Sequence, residues 1–149
     1  MREPYQVLVI PYKIINDDIK FAIFSRSDMK CWQWIAGGGE DFDESIIESA
    51  RREAYEEARI PLNSALIELD SRTTIPVEHC AGGFIWGDDV YVVEEYSFGV
   101  NVISDKLEIS SEHKGFKWVS YDEAMELLKY DSNRSALWEL NIRLLRQTN

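Results

Sequence analysis

Cysteine is scarce in this chain of 149 residues, which carries only Cys31 and Cys80. The two residues form neither a CxxC motif nor the several evenly paired cysteines of a disulfide framework, so a disulfide-stapled scaffold is excluded. We therefore expect a reducing, cytoplasmic setting in which each cysteine has a structural role.

Long hydrophobic runs are also missing. The longest apolar stretches, such as YQVLVIPY, fall far short of the roughly 20 residues that a membrane helix needs. The first residues, MREPYQ, contain a single basic residue and lead directly into a strand-like pattern, so we expect neither a signal peptide nor a membrane partner. No repeat or linker divides the sequence, and we expect one domain over residues 1–149.

Positive charge is in deficit, because 27 acidic residues outnumber 16 basic ones and leave a formal net charge of −11. Such a surface repels long polyanions, which excludes a nucleic acid polymer as a partner. A small phosphorylated molecule is still compatible with this charge if metal ions bridge its phosphates and the carboxylates of the protein.

The chain does contain clear strand and helix patterns. Strands are predicted at YQVLVIPYKII and FAIFSR, joined by the polar turn NDDIK, and at LNSALIELDSRTTIP, DDVYVVEEYSFGVNVI and GFKWV. SDMKCWQWIAGGGEDFD predicts a loop and WGDD a hairpin turn. Helices are predicted from Glu44 to about Ala58, at SYDEAMELLKY with Ser120 as N-cap, and at SNRSALWELNIRLLRQ. This order, without regular βαβ alternation, predicts an α+β fold with a mixed sheet between helices.

The first predicted helix has two distinct faces. At about 100° per residue, a narrow apolar stripe suited to close packing on a sheet is formed by Ile47, Ala50, Ala54 and Ala58. A second arc carries three carboxylates, those of Glu53, Glu56 and Glu57. Arg52 lies four residues from both Glu48 and Glu56 and is expected to pair with either of them.

The three neighbouring carboxylates repel one another. Two carboxylates about 4 Å apart cost on the order of 4 kcal/mol at an effective dielectric of 20, but only about 1 kcal/mol in water. A solvated acidic face tolerates this repulsion, whereas a cluster in a cleft needs a cation or a raised pKa. Oxygen ligands of this kind suit Mg²⁺ or Mn²⁺.

The spacing of the helix residues and the glycines before them follows the pattern Gly-x5-Glu-x7-Arg-Glu-x2-Glu-Glu, at Gly38, Glu44, Arg52, Glu53, Glu56 and Glu57. This pattern resembles the signature of the Nudix hydrolase family, which implies a Nudix-type α/β/α sandwich. The segments CWQWIAGG, SEHKGFKWV and SNRSALWEL look like those of bacterial dATP and dihydroneopterin triphosphate pyrophosphatases. Arg59 stands where the family usually has Gly, so the helix end is either strained or built differently. Ala36 replaces the Pro often found before the glycines.

The resemblance implies a role for each matching residue. Glu53, Glu56 and Glu57 would be metal ligands, with Glu56 or Glu57 also orienting the attacking water. Arg52 would hold carboxylates in place, Glu44 would support the motif at the helix start, and Glu112 would be a further metal ligand. Because glycines have no side chain, the loop that contains Gly37, Gly38 and Gly39 could pass close to the helix and to the substrate phosphates. The implied cofactor is Mg²⁺, with Mn²⁺ as an alternative.

Substrate contacts are expected beside this motif. Arg26, at the end of the second strand, is a candidate phosphate contact, and either Trp32 or Trp34 would stack on a base or pterin ring unless it faces the core. Trp118 and Trp138 are expected in the core, and Trp86 is a hairpin-tip residue that would suit a dimer contact.

The implied activity is a Mg²⁺-dependent cleavage of a nucleoside triphosphate, or a pterin analogue, to the monophosphate and pyrophosphate. Hydrolysis of a dinucleoside polyphosphate or a nucleotide sugar such as ADP-ribose is an alternative, as is a nucleotide-sensing module without catalysis. The partner is in each case a small phosphorylated molecule, and a homodimer stays an open alternative.

Overall fold

The computed structural model of the chain describes residues 1–26, 31–104, 107–110 and 113–147. Within these residues the strands are β1 Arg2–Ile15, β2 Asp18–Arg26, β3 Trp32–Gln33, β4 Ile35–Glu40, β5 Leu66–Pro76, β6 Val92–Asn101 and β7 His113–Val119. The helices are α1 Ile46–Ala58, α2 Val77–Ala81, α3 Tyr121–Leu127 and α4 Asp131–Gln147. Among the described residues, none of these helices has both the length and the hydrophobicity that a membrane crossing requires.

All seven strands form one mixed sheet with β1 at its centre. One edge of β1 pairs with β6 in parallel, and the other pairs antiparallel with β4 along its first half and with β2 near its end. The outer strands β5, β7 and β3 add antiparallel to their neighbours. β1 takes the central place because its apolar run, residues 7–10, is buried on both faces, as continuous hydrophobic strands usually are.

Helices cover both faces of the sheet. Side chains alternate across a strand, so Val7 and Val9 of β1 pack beneath α1 while Leu8 and Ile10 pack towards α4. The α1 side also contains Phe98, and the α4 side buries aromatic and leucine side chains from Phe21, Trp34, Leu137 and Leu140. The predicted α+β sandwich with a mixed sheet between helices is therefore confirmed.

The turn between β1 and β2 forms where the sequence predicts it. Asn16 and Asp17 both have positive φ, 52° and 70°, the left-handed pair that a two-residue hairpin turn requires and that Asn and Asp tolerate. Tyr12 pairs with Phe21 and Ile15 with Asp18, which sets the hairpin register.

Three local predictions were wrong. The glycine-rich segment predicted as a loop forms β3 and β4, because the first half of β1 offers an edge that β4 pairs with. The hairpin turn predicted at WGDD was wrong, because β5 and β6 pair antiparallel but are joined by residues 77–91, which contain helix α2 and an irregular segment with positive φ at Gly82 and Gly87. Trp138, predicted as core, is 57% exposed on the outer side of α4.

Candidate active site

Helix α1 carries the predicted site and is fixed closely to the sheet. It begins at Ile46 rather than Glu44, because the Ser45 side chain caps it by accepting the Glu48 backbone N–H at 3.1 Å. The stripe of small residues, Ala50, Ala54 and Ala58, is buried against the sheet. Small side chains at these positions let the helix lie close to the strands, which places its neighbouring face beside β4.

The helix ends at Arg59, where the family pattern usually has Gly. Arg59 has φ 58° and ψ 31°, and its N–H donates to the Tyr55 carbonyl at 2.8 Å. The left-handed end is thus formed with a residue whose Cβ disfavours it. The expected local strain is present, and the guanidinium stacks over the Tyr55 ring at 5.0 Å from its centroid.

Gly37 of β4 lies against the side chain of Glu53 on α1. A Cβ added at Gly37 would lie 2.1 Å from Cδ of Glu53, a distance at which no side chain fits. Gly38 and Gly39 make room instead for the side chains of Arg2 and Tyr5. The expected close passage to the helix is therefore a property of Gly37, while the expected phosphate contacts of all three glycines stay a prediction.

The three carboxylates differ in their surroundings. Glu53 and Glu57 are each only 7% exposed, whereas the Glu56 side chain is 51% exposed. Burial raises the pKa of Glu53 to about 7, and the charges of Glu56 and Glu57 add to this against the opposing effect of Arg52. The ionised form of Glu53 is thus disfavoured mainly by burial and further by the neighbouring carboxylates, and a cation beside it would offset both effects.

Arg52 binds more partners than helix spacing predicts. Its Nη1 donates to Glu53 at 3.0 Å and to Glu56 at 3.2 Å, and its Nη2 donates to the Gly38 carbonyl at 2.8 Å. Of the two alternative pairings predicted for Arg52, the one with Glu56 forms, while Glu48 lies 4.0 Å from Arg51. Hydrogen bonding to Asp43 is the largest cause that raises the pKa of Arg52 above its already high value.

Asp43 is a site residue that the sequence analysis missed. Its carboxylate accepts hydrogen bonds from Arg52, from the Ser49 hydroxyl and from the Glu40 N–H. Burial by itself would raise the pKa of Asp43, but these hydrogen bonds outweigh burial and lower it. Asp43 precedes the helix, so no helical periodicity links it to Arg52, whereas Glu44 of the motif is exposed.

The segment 107–110, between β6 and β7, also contacts the carboxylates. Ser110 donates its hydroxyl to Glu57 Oε2 at 2.7 Å and its N–H to the Glu57 carbonyl at 2.8 Å. This segment is the last described stretch before Glu112, which itself lies outside the described residues. Ser110 was not predicted, and nothing in its sequence surroundings marks it.

The acidic residues fit a hard divalent cation by their chemistry, because they offer carboxylate oxygens in a partly buried setting. Among the residues that the structure describes, however, no three His, Cys, Asp or Glu side chains are grouped closely enough to hold a metal ion. In this arrangement Arg52 Nη1 binds both Glu53 and Glu56, while Ser110 binds Glu57. The assignment of the three glutamates and Glu112 as metal ligands stays a prediction.

The predicted substrate contacts divide into two groups. Trp34 is the member of the pair that faces the core and is therefore not a substrate contact: it is fully buried, and its indole N–H donates to the Asn133 carbonyl at 3.0 Å. Trp32 is half-buried, with Lys117 Nζ 5.1 Å from its ring centroid. Arg26 is half-buried at the end of β2, opposite His113 in β7. The roles of Trp32 as a stacking residue and of Arg26 as a phosphate contact stay predictions.

The remaining tryptophans have structural contacts. Trp118 is partly buried in the core on the α1 side, as predicted, with Lys13 Nζ 4.3 Å from its ring centroid. Trp86 donates its indole N–H to the Arg2 carbonyl at 2.8 Å, so it holds its loop against β1.

A separate groove of about 770 Å³ lies between β5 and α4. Its lining includes Trp138, Arg143 and Asp70 and none of the predicted site residues. The groove is therefore distinct from the carboxylate cluster.

Comparison with known proteins agrees with this geometry. The NUDIX domain model matches residues 5–139. Nudix hydrolase 12, a mitochondrial protein of Arabidopsis thaliana, is 33% identical over 110 residues, which cover 69% of this chain and 49% of that protein. The chain thus spans about half the length of that relative.

Solved structures show the same similarity. A Listeria monocytogenes protein assigned to the NUDIX hydrolases is 41% identical, with a TM-score of 0.86 and 97% of each chain covered. The E. coli dihydroneopterin triphosphate pyrophosphohydrolase shares the fold, with a TM-score of 0.75, 24% identity, and 94% of this chain and 97% of that one covered. The glutamate-bearing helix against a glycine strand, the family match over most of the sequence and these structures together show that the chain belongs to the Nudix hydrolase family.

Proposed function

We propose that this protein is a Mg²⁺-dependent pyrophosphohydrolase that cleaves a nucleoside triphosphate such as dATP, or dihydroneopterin triphosphate, to the monophosphate and pyrophosphate. The observation that carries the proposal is the buried carboxylate of Glu53, which is pressed against Gly37 and tied by Arg52 to Glu56. A purely solvated acidic face would not bury two of its three glutamates.

The residues of the site have distinct parts in this reaction. Glu53, Glu56 and Glu57, together with Glu112, would hold Mg²⁺. Mg²⁺ bound there would supply positive charge that neutralises the diphosphate and the oxygens of the attacking and leaving groups. Glu56 is the most exposed of the three helical glutamates, which favours it as the group that orients the attacking water. Arg52 keeps Glu53 and Glu56 in place, since its Nη1 binds both.

The proposed substrate class is supported by the net charge of the protein and by the partial accessibility of Trp32. The net charge of −11 favours a small phosphorylated molecule that arrives with its cation over a polymer. With Trp34 buried, Trp32 is the member of the pair that is partly accessible to a base or pterin ring. Arg26 is the proposed phosphate contact. The free thiols of Cys31 and Cys80 fit a reducing compartment, and we propose the cytoplasm.

Pyrophosphate release from dATP and from dihydroneopterin triphosphate, measured with and without Mg²⁺, tests the proposal. We expect Glu56→Gln and Glu57→Gln each to lower kcat at least about 100-fold, the range typical of removing a positioned acid–base group. Glu48→Gln is the matched control, because Glu48 lies on the same helix with its side chain half exposed and has no contact with Arg52. Equal turnover in the Glu56, Glu57 and Glu48 variants would contradict the proposal.

Two alternatives predict other outcomes of the same screen. A dinucleoside polyphosphate or nucleotide-sugar hydrolase would turn over diadenosine polyphosphates or ADP-ribose in preference to triphosphates; Trp32-Gln33, which resembles the tetraphosphate hydrolases of the family, favours the first of these. A sensor module would bind nucleotide tightly and turn over none of the compounds.

A further inference from the structure

The guanidinium of Arg52 lies between Asp43 on one side and Glu53 and Glu56 on the other. We propose that Asp43 is a positioning residue for the reaction, which orients Arg52 so that the glutamates of α1 are held where the metal and the diphosphate bind. This inference rests on the proposed function and adds to it a residue at a position that the family motif leaves unspecified, the last of the five between Gly38 and Glu44.

The two carboxylate oxygens of Asp43 accept hydrogen bonds from one edge of the Arg52 guanidinium. Its Oδ1 accepts from Arg52 Nε at 3.0 Å, and its Oδ2 accepts from Nη2 at 3.0 Å. This is the forked pairing in which a carboxylate matches the planar guanidinium. Because the guanidinium is rigid, fixing the Nε and Nη2 edge sets the direction of Nη1, which binds Glu53 and Glu56.

Asp43 is itself immobilised by contacts on its other side. Its side chain is 5% exposed. Its Oδ2 accepts the Ser49 hydroxyl at 2.5 Å and the Glu40 N–H at 3.0 Å. Ser49 Oγ also lies 2.6 Å from the hydroxyl of Tyr5 on the central strand β1. A continuous set of hydrogen bonds therefore runs from the sheet through Asp43 and Arg52 to the carboxylates.

The other acidic residues near Arg52 do not share this position. Glu44, the acid that the motif places at the helix start, is exposed, and its side chain makes no ion pair within the part of the chain that the structure describes.

The Phe42 ring covers the guanidinium at 5.5 Å from its centroid to Cζ, which leaves Arg52 18% exposed. The pair with Asp43 is thus shielded from water, where a charged hydrogen bond orients its partners most strongly.

Three variants test the inference. Asp43→Asn keeps the shape and removes the charge. Asp43→Glu keeps a carboxylate but on a side chain that is one methylene longer. Asp41→Asn is the matched control, because it makes the same chemical change two residues away on an exposed side chain. We expect Asp43→Asn to lower kcat for pyrophosphate release about 10- to 100-fold, as removal of a supporting partner usually does, with KM changed less than about threefold. Asp43→Glu should recover part of kcat, and Asp41→Asn should match the wild type.

Binding of Mn²⁺ without nucleotide, followed by electron paramagnetic resonance, provides a second readout that does not need turnover. We expect the Mn²⁺ affinity of Asp43→Asn to fall about 10-fold or more and that of Asp41→Asn to be unchanged. Circular dichroism checks that the variants are folded. If Asp43→Asn is not, Ser49→Ala removes a single hydrogen bond to Asp43 and should give a smaller loss in the same two readouts.

The outcomes separate this inference from the proposed function. If the wild-type protein binds Mn²⁺ but cleaves no compound in the panel, the proposed function is contradicted. The inference about Asp43 is then tested by the Mn²⁺ affinities of Asp43→Asn and Asp41→Asn alone. A wild-type protein that takes up no Mn²⁺ and shows no turnover overturns both. The inference is also overturned if Asp43→Asn equals Asp41→Asn in kcat and in Mn²⁺ affinity, or if Glu44→Gln loses as much as Asp43→Asn.

Discussion

Adding one methyl group at Gly37 is the most direct test of how closely α1 lies to the sheet. In Gly37→Ala, the new Cβ would lie 2.1 Å from Cδ of Glu53 and within 2.4 Å of both carboxylate oxygens. Glu53 would have to withdraw by at least about 1.3 Å to move from 2.1 Å to ordinary van der Waals contact, which begins at 3.4 Å. It is buried and bound to Arg52, so this movement breaks or weakens their hydrogen bond.

The size of the effect follows from these contacts. Overpacking of a filled interior costs about 1–3 kcal/mol, and a hydrogen bond between charged groups is worth about 1.5–3 kcal/mol, part of which is lost. Alanine also restricts the unfolded chain, which offsets about 0.4–1 kcal/mol. We therefore expect a loss of about 1–3 kcal/mol in the free energy of unfolding, measured by urea denaturation, together with lower turnover because Glu53 is displaced.

A control variant and a double-mutant cycle make this reasoning refutable. Gly115→Ala places a methyl group where no atom lies within 4 Å, so its effect should stay within about 0.5 kcal/mol. In a Glu53→Ala background the atoms that the new methyl meets are gone, and the cost of Gly37→Ala should fall by at least about 1 kcal/mol. An equal cost in both backgrounds, or a cost no larger than that of Gly115→Ala, would show that the close contact does not govern the packing.

Three further predictions concern stability and are checked by equilibrium unfolding. Trp34→Phe removes a buried indole that donates a hydrogen bond and should cost about 2–4 kcal/mol, whereas Trp138→Phe, on the exposed side of α4, should change stability by less than about 0.5 kcal/mol; equal losses would contradict the burial pattern. Burial raises the pKa of Glu95 from 4.5 to about 7, so the folded protein binds this proton more tightly than the unfolded chain does. The resulting stability is fully present below pH 4.5 and is lost as the pH rises through 7. Compared with the wild type, Glu95→Gln should therefore gain about 3 kcal/mol in the free energy of unfolding between pH 4 and a pH well above 7. A difference between the two proteins that does not change with pH would refute this. Arg59→Gly should raise the free energy of unfolding by about 1 kcal/mol by removing the left-handed strain, and an unchanged or lower value would show that the stacking of Arg59 outweighs it.

The parts of the fold that the sequence predicts are those set by neighbouring residues. The β1–β2 turn follows from Asn16 and Asp17, which tolerate the positive φ that a tight hairpin needs. The close seating of α1 follows from three alanines on one stripe, and the start of α3 from the Ser120 side chain, which accepts the Glu123 N–H at 3.2 Å. The family motif likewise requires only spacing along one helix and its preceding segment.

The chain by itself thus predicted most of the strands, the helices α1, α3 and α4, the two-faced character of α1 and the family. Only the tertiary structure decided that the glycine segment becomes a strand, because its partner β1 lies about 30 residues away in sequence. It also decided which tryptophans are buried. Trp34, in the segment predicted as a loop, is fully buried, whereas Trp138, in an apolar helical pattern, is exposed, because burial depends on packing between elements. The pairing of Asp43 with Arg52 was equally out of reach, because a hydrogen bond between a loop and a helix depends on distances in space that no local spacing encodes.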